Sequence, residues 1–207
     1  RLPQLAQAHP DIVVHIDTQT RPFLFADTTF DAALYAGTPE QVAHWPGVQA
    51  QLLMHEDVVP VCSPRLLESA APRGRGRAHQ PVAAEALAEL PLLQQSTRPY
   101  GWRQWFDAMG VDAPHALDGP RYELFSMLAV AATHGMGVAL MPPLLIEAEL
   151  ASGELVVACN RPLRGERAYY LISPAQAQPP VLTTFAQWLQ TMAQTATSAA
   201  GQAGGGG

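Results

Sequence analysis

WPGVQAQLLMHEDVVPVCSP, residues 45–64, is the stretch of the sequence that decides the fold. Two apolar runs, at 52–54 and 58–62, are separated by His55, Glu56 and Asp57, and each run is typical of a short strand. Pro60 has no amide hydrogen to donate, which limits the second strand to a sheet edge or to a crossing between lobes. The stretch therefore predicts a hinge strand that connects two lobes.

Three further segments occur in order around this stretch: RLPQLAQAHP at 1–10, DAALYAG at 31–37 and GMGVALMP at 135–142. Together with 45–64, the ordered set resembles the effector-binding domain of LysR-type transcriptional regulators. The lead-in Trp45-Pro46-Gly47 is most similar to the branch that holds the glycine-cleavage activator and the β-lactamase-inducing regulators. The resemblance spans nearly the whole chain.

Helix-like and strand-like apolar patterns alternate along the 207 residues, of which 48% are hydrophobic. This alternation predicts an α/β fold whose parallel sheets are joined by crossover helices. The resemblance implies a two-lobed fold of the type 2 periplasmic-binding-protein kind with two hinge-crossing strands.

Lobe I is expected at 1–62 and 171–194, and lobe II at 63–170. Residues 195–207 consist mainly of Ala, Ser, Thr, Gln and Gly, a composition that predicts a disordered tail. The resemblance also implies a winged helix-turn-helix and a first strand of lobe I, neither of which is in these 207 residues.

Local apolar spacing predicts a half-buried strand at 12–17, a helix at 23–28 and a strand at 31–36. Trp102 and Trp105 lie at helical spacing, which favours core packing, and Tyr100 is the expected exception. A final helix should pack on lobe I through one apolar stripe. The stripe consists of Val181, Phe185, Leu189 and Met192.

The composition excludes or disfavours several chemistries. The chain has no lysine, which excludes a Schiff-base enzyme, a pyridoxal-phosphate anchor and a Walker-type phosphate site. The seven histidines never fall at a metal-ligand spacing, and no Gly-x-Ser-x-Gly turn is present, so neither a metal nor a cofactor is expected. Cys62 and Cys159 are expected to be small buried hydrophobes. The net charge of −6 argues against DNA binding by this part alone.

Ligands of open α/β sheets bind where strands end and helices begin, because backbone amides and the helix dipole attract polar groups there. In lobe I these positions are Thr18, Gln19 and Thr20. Thr18 also lines up with a threonine or serine position that the family uses to hold an effector, although capping of the next helix explains Thr18 and Thr20 equally well. In lobe II the candidate ligand-binding residues are Gln95, Ser96, Thr97, Tyr100, Glu123, Phe125 and Ser126.

We interpret the chain as the effector-sensing and dimerising part of a cytoplasmic bacterial regulator that binds a small molecule in an interlobe cleft. The resemblance implies a homodimer or tetramer through lobe I, and contact with DNA only through the absent N-terminal domain. Tyr35 stands where many members of the family carry an arginine that pairs with an effector carboxylate, which makes an acidic metabolite less expected. No membrane contact is expected, because the longest apolar stretch is interrupted by polar residues and glycines.

Two alternatives share the two-lobed plan. A solute-binding protein of a transporter normally starts with an export signal, and the chain begins without one. A prephenate dehydratase-like enzyme is the other alternative, because Thr97-Arg98 matches part of that family's catalytic motif. Pro99, where that motif has Phe, argues against the enzyme.

Overall fold

A computed structural model describes residues 2–19, 23–70, 81–176 and 179–203, without the side chains of 70 and 196–203. The chain divides into two compact units, which we call unit 1 (1–56 and 166–207) and unit 2 (57–165). The chain passes between them twice, at Glu56/Asp57 and at Gly165/Glu166. Both crossings come several residues earlier than the lobe boundaries that the sequence predicts.

The first crossing lies inside one long strand, β2 (Val48–Cys62). The sequence predicts two short strands here, broken at His55, Glu56 and Asp57, and that prediction is wrong. The strand continues because it is hydrogen-bonded to the second crossing strand, β7 (Leu163–Pro174), and both acids also have arginine partners on β7. Arg164 donates to both carboxylate oxygens of Asp57 at 2.7 Å. In unit 1, Arg167 Nε lies 4.0 Å from Oε1 of the buried Glu56.

Among its described residues, unit 1 contains one short strand, most of β7, the first part of β2 and three α-helices. Strand β1 (Ala33–Gly37) pairs with β7 from Ala33↔Ile172 to Gly37↔Ala168. The helices are α1 (Leu2–Ala8), α2 (Pro39–Ala43) and α8 (Pro180–Ala203). Helix α8 continues past Thr195, where the sequence predicts the start of a tail; four of the nine residues 195–203 are alanine, the strongest helix former. Residues 204–207 lie outside the described part.

The strand predicted at 12–17 is not formed. Burial alternates over the first residues of the segment, since Ile12 and Val14 are half-buried and Val13 is 76% exposed. The alternation ends before Ile16, which is 71% exposed. Within the described residues the segment pairs with no strand, and without a ladder partner an alternating segment does not become sheet. The helix predicted at 23–28 is a single 3₁₀ turn, Phe25–Asp27.

Helix α2 was missed by the sequence analysis, although the sequence carries its signal. The Thr38 hydroxyl accepts from the amide of Gln41, and the Gln41 side chain accepts from the amide of Thr38. This reciprocal capping box, with Pro39 at the first helical position, fixes where the helix begins.

Helix α8 packs within unit 1, where Gln51 Nε2 donates to Gln190 Oε1 at 2.8 Å. The buried positions are Leu182 and Ala193, with Phe185, Leu189 and Met192 half-buried between them. Val181 is 46% exposed, so the predicted stripe is wrong at its first residue. Both Val181 and Leu182 lie at helical spacing from Phe185, and the packing of α8 buries Leu182 instead of Val181.

Unit 2 is built on a mixed sheet. Strand β5 (Val138–Met141) lies between β2, to which it is antiparallel, and β3 (Leu92–Gln95), to which it is parallel. Strand β4 (Arg121–Tyr122) continues the parallel side beside β3, and β6 (Val156–Val157) pairs antiparallel with β2. The α/β class is confirmed, and the predicted parallel pairing holds for β3 with β4 and β5 but not for the crossing strand β2, which runs antiparallel to β5 and β6.

The helices of unit 2 cover this sheet. They are α3 (Pro64–Ala70), α4 (Ala84–Leu87), α5 (Gly101–Met109), α6 (Phe125–Thr133) and α7 (Glu147–Ser152). Trp102, Trp105 and Phe106 of α5 are almost fully buried in one core cluster, which confirms core packing for both tryptophans. Their indole nitrogens donate to Leu93 O and Arg161 O. Leu128 and Ala132 of α6 belong to a second cluster.

Candidate functional site

The polar candidates of unit 2 lie where strands β3 and β4 end side by side. The parallel register places Gln95 beside Tyr122, and the Ser96 amide donates to Tyr122 O at 2.8 Å. As a result, the segments that follow the two strands, 96–98 and 123–126, leave the sheet at the same edge. The structure therefore brings together the two groups of unit 2 residues that the sequence analysis named separately.

A tight turn shapes the first of these segments. Gln95 is buried, and its Oε1 accepts from the amide of Thr97 at 3.2 Å. Ser96 and Thr97 are exposed, and the Thr97 hydroxyl accepts from Arg98 Nη1 at 2.7 Å. The guanidinium of Arg98 lies 4.6 Å from the centre of the Phe125 ring, in the geometry of a cation–π contact. Arg98 thereby links the first segment to the beginning of α6.

The second segment leads directly into α6. Glu123 and Ser126 are exposed and Phe125 is half-buried. Leu124 occupies the N-cap position in an extended conformation, and no side chain caps the helix. Tyr100, at the N-cap of α5, is 62% exposed, so it is outside the core as predicted. This edge of unit 2 thus presents hydroxyl, carboxylate, guanidinium and aromatic groups around two helix beginnings that lack side-chain caps.

One residue behind this edge was missed by the sequence analysis. Gln94 is 1% exposed, and its Nε2 donates to Ala116 O at 3.1 Å and to Asp118 O at 3.0 Å. These bonds hold the loop that leads from α5 into β4, and so they position the segment that begins at Glu123. A buried glutamine in an apolar strand is a sequence signal for such a role, because a buried amide needs partners.

The candidate ligand-binding residues of unit 1 make fewer described contacts than those of unit 2. Thr18 and Gln19 are exposed, and Gln19 Nε2 donates weakly to Asp17 Oδ2 at 3.4 Å. Gln19 lines an open depression of about 550 Å³ together with Asp17, Phe23 and Phe30. The next described helical turn begins after Leu24 without a side-chain cap, so Thr18 does not cap it. Thr20 lies outside the described residues.

Tyr35 has a structural role in unit 1. Its ring meets that of Trp45 edge to face at 5.3 Å and covers Gly37, where a Cβ atom would come within 2.1 Å of the ring. Phe23, Phe25 and Phe30 extend this aromatic cluster. A packing role explains an aromatic residue at position 35.

Neither cysteine has the environment of a reactive thiol. Cys62 and Cys159 are buried in the same core cluster of unit 2. Burial raises the pKa of the Cys62 thiol to about 12 and also raises the pKa of Cys159. The expectation that both act as small buried hydrophobes is confirmed.

In the part of the chain that the structure describes, no three His, Cys, Asp or Glu residues form a group able to hold a metal ion.

Comparison with known families and sequences gives a consistent set of relatives. A family model described as the LysR substrate binding domain matches residues 1–194. The glycine cleavage system transcriptional activator of Escherichia coli K12 is 30% identical over 190 residues, which are 91% of this chain and 58% of that protein. The regulator TrpI of Pseudomonas aeruginosa is 32% identical over 191 residues, covering 92% of this chain and 61% of that protein. The chain thus spans about three fifths of the length of these relatives.

Solved structures agree with the sequence comparison. The effector domain of the transcriptional regulator AmpR of Pseudomonas aeruginosa superposes with a TM-score of 0.77 at 25% identity, covering 98% of this chain and 90% of that one. The AmpR effector binding domain of Citrobacter freundii gives a TM-score of 0.76 at 22% identity, with coverage of 94% and 90%. The fold is therefore the two-lobed, type 2 periplasmic-binding-protein-like fold that the sequence analysis expects.

Proposed function

Because the chain belongs to the LysR substrate-binding domain family, we propose that it is the effector-sensing part of a bacterial transcriptional regulator. The observation that carries this proposal is the family match over residues 1–194, supported by relatives that are named as transcriptional regulators. The effector is bound without being chemically transformed, and DNA is contacted by a part of the regulator outside these residues. The regulator acts in the cytoplasm.

The effector contacts in this proposal come from both units. Unit 2 contributes the edge at which β3 and β4 end, whose exposed polar groups surround the beginnings of α5 and α6. Unit 1 contributes Thr18 and Gln19, and Thr20 is included on the sequence argument alone. Backbone amides at helix beginnings favour polar or anionic groups of a ligand, and exposed hydroxyls supply directional hydrogen bonds. The unit 2 contact residues are Gln95, Ser96, Thr97, Tyr100, Glu123, Phe125 and Ser126.

We also propose that the domain forms homodimers through unit 1, as the resemblance implies. Exposed apolar side chains support two complementary surfaces. One surface, in unit 1, contains Leu2, Val13 and Ile16, and the other, on and after α6 of unit 2, contains Met127, Val130 and Met136. In a two-fold dimer each surface of one protomer meets the other surface of its partner, so the same contact forms twice. Among the described residues, no helix has the length and apolar character that a membrane span needs.

A thermal-shift screen followed by one substitution tests the effector proposal. Amino acids, aromatic acids and cell-wall fragments are screened, because a ligand that binds only the native state raises the unfolding temperature. We expect Thr18→Val, which removes one hydroxyl at nearly constant volume, to weaken binding of the best ligand by about fivefold to tenfold. Thr183→Val, at an exposed position of α8, is the matched control and should leave the affinity unchanged.

Unchanged affinity in Thr18→Val would contradict the contact assigned to unit 1. Incubation of the unsubstituted protein with prephenate distinguishes the proposed sensor from the enzyme alternative. Formation of phenylpyruvate above the uncatalysed rate would refute binding without transformation.

A further inference from the structure

Unit 2 has a polar cavity at the opposite end of α6 from the proposed effector contacts. It has a volume of about 560 Å³ and is lined by Ser63, Arg65, Ser69, Thr133, His134 and Glu154, with Leu66 and Gly135 completing the wall. Effector contacts begin at Phe125, whereas this cavity meets the helix at Thr133, about 12 Å further along its axis. The two locations are therefore distinct within unit 2.

The hydroxyl of Ser63 points to a ligand in this cavity. Ser63 is only 4% exposed, and its side chain has no hydrogen-bond partner among the described residues. The backbone of Ser63 is fully used, since its amide donates to Ala132 O and its carbonyl accepts from Leu66 N. The Ser63 hydroxyl therefore lies at the cavity wall without a described protein partner, where a polar group of a bound ligand pairs with it.

The remaining polar groups of the cavity are mostly acceptors. Ser69 Oγ donates its hydrogen to Leu66 O at 2.8 Å, and Thr133 Oγ1 donates its hydrogen to Val130 O at 2.8 Å. His134 Nδ1 lies 2.9 Å from the same Val130 carbonyl, so it carries the hydrogen and leaves Nε2 of the neutral ring as an acceptor. These three groups and the Glu154 carboxylate favour a ligand with several hydrogen-bond donors.

The donors of the cavity are Arg65 and Ser63. A guanidinium with a hydroxyl suits a carboxylate, whereas Glu154 with two hydroxyl oxygens and an imidazole nitrogen suits an ammonium group. The pattern requires one negative and one positive group on the same small ligand. We propose that this cavity is a second ligand site, distinct from the effector site, that binds a free α-amino acid as its zwitterion.

The test uses the 207-residue protein and a panel of free amino acids, with two-dimensional NMR to locate binding and calorimetry to measure affinity. We expect saturable binding that shifts the amide signals of Ser63 and 133–135 more than those of 95–97. Arg65→Gln and Glu154→Gln should each weaken binding about tenfold or more, and Ser63→Ala several-fold, because each removes a hydrogen bond to a charged or buried group. Arg103→Gln and Glu89→Gln are matched controls on other helices and loops of unit 2, expected to leave the affinity within about twofold.

Blocked ligands separate a free amino acid from a peptide end. The N-acetylated amino acid and the amino acid amide should each bind at least tenfold more weakly than the parent compound. Equal binding of either derivative overturns the zwitterion assignment. Absence of saturable binding, or binding that shifts only 95–97, overturns the second site, and the latter result leaves the effector proposal intact. Conversely, a ligand that binds Arg65→Gln with unchanged affinity but no longer binds Thr18→Val is assigned to the effector site.

Discussion

Replacement of Gln94 by Leu tests how the proposed effector edge is held together. The substitution keeps the side-chain volume roughly constant but removes the two bonds that Nε2 donates to Ala116 O and Asp118 O. Because Gln94 is 1% exposed, water does not replace the lost donor at its own position. The loop before β4 then loses both bonds to the Gln94 side chain, and the backbone bonds between β3 and β4 are left to hold the segment that begins at Glu123.

The magnitude follows from these two bonds. A net hydrogen bond contributes about 1 kcal/mol, and a carbonyl left unsatisfied in a buried position adds a penalty of roughly 1–3 kcal/mol. Ala116 is fully buried, so its carbonyl bears that penalty, whereas Asp118 lies where water can reach its oxygen. The greater hydrophobicity of Leu offsets part of the loss. We therefore expect unit 2 to be destabilised by about 2–3 kcal/mol.

Hydrogen-exchange mass spectrometry during a urea titration measures the free energy of unfolding from peptides of unit 2 alone. This separation matters because a chain of two units need not unfold in one step. Gln104→Leu, at an exposed position of α5, is the matched control and should change the free energy of unfolding by less than about 0.5 kcal/mol. A destabilisation below about 0.5 kcal/mol in Gln94→Leu would refute the reasoning, since the two bonds would then have no structural role.

Three further outcomes follow from single positions. Gly119→Ala should destabilise unit 2 by more than about 2 kcal/mol in urea unfolding, because φ is +121° and the new Cβ would lie 2.2 Å from Leu92 O; a stable Gly119→Ala would contradict this backbone conformation. The pKa of Cys62 is raised to about 12 from 9.0, so above pH 9 the unfolded chain loses a proton that the folded chain keeps. Stability should therefore fall by about 1 kcal/mol between roughly pH 9 and 10, and Cys62→Ala should lack this component of the pH dependence. Arg164→Gln removes an exposed bidentate pair with Asp57, so we expect a small drop in the urea midpoint at low salt that disappears near 1 M NaCl; a drop that persists at high salt would show that the pair acts through packing instead.

The candidate effector residues were predictable in part. The sequence places Gln95 at the end of a strand-like segment and Glu123 just before an apolar helix, and ligands bind at such positions in this class of fold. It does not reveal that β3 and β4 are adjacent, since β4 has only two residues and no strand pattern of its own. Gln94 was overlooked because its importance depends on carbonyls 22 and 24 residues away along the chain. The cavity beside Ser63 was overlooked for the same reason, since its residues come from three separate segments.

The errors in the strands have one physical origin. The run at 12–17 has the right alternation, yet it forms no strand, because a strand is stabilised by a neighbour as well as by its own residues. The acids at 56 and 57 look like a break, yet β2 continues through them, because β2 is hydrogen-bonded to β7, whose Arg164 and Arg167 also pair with the two acids. In both cases the outcome depends on whether a strand far away in sequence supplies a pairing partner.

The sequence by itself determined the family, the α/β class, the two crossings between units and the burial of Trp102 and Trp105, because these depend on apolar spacing and on ordered local motifs. Only the tertiary structure decided the mixed direction of the unit 2 sheet, the partners of the buried polar groups and the cavity beside Ser63. Those features depend on hydrogen bonds and contacts between residues distant in the chain, and the local pattern around a residue carries no record of which distant group meets it.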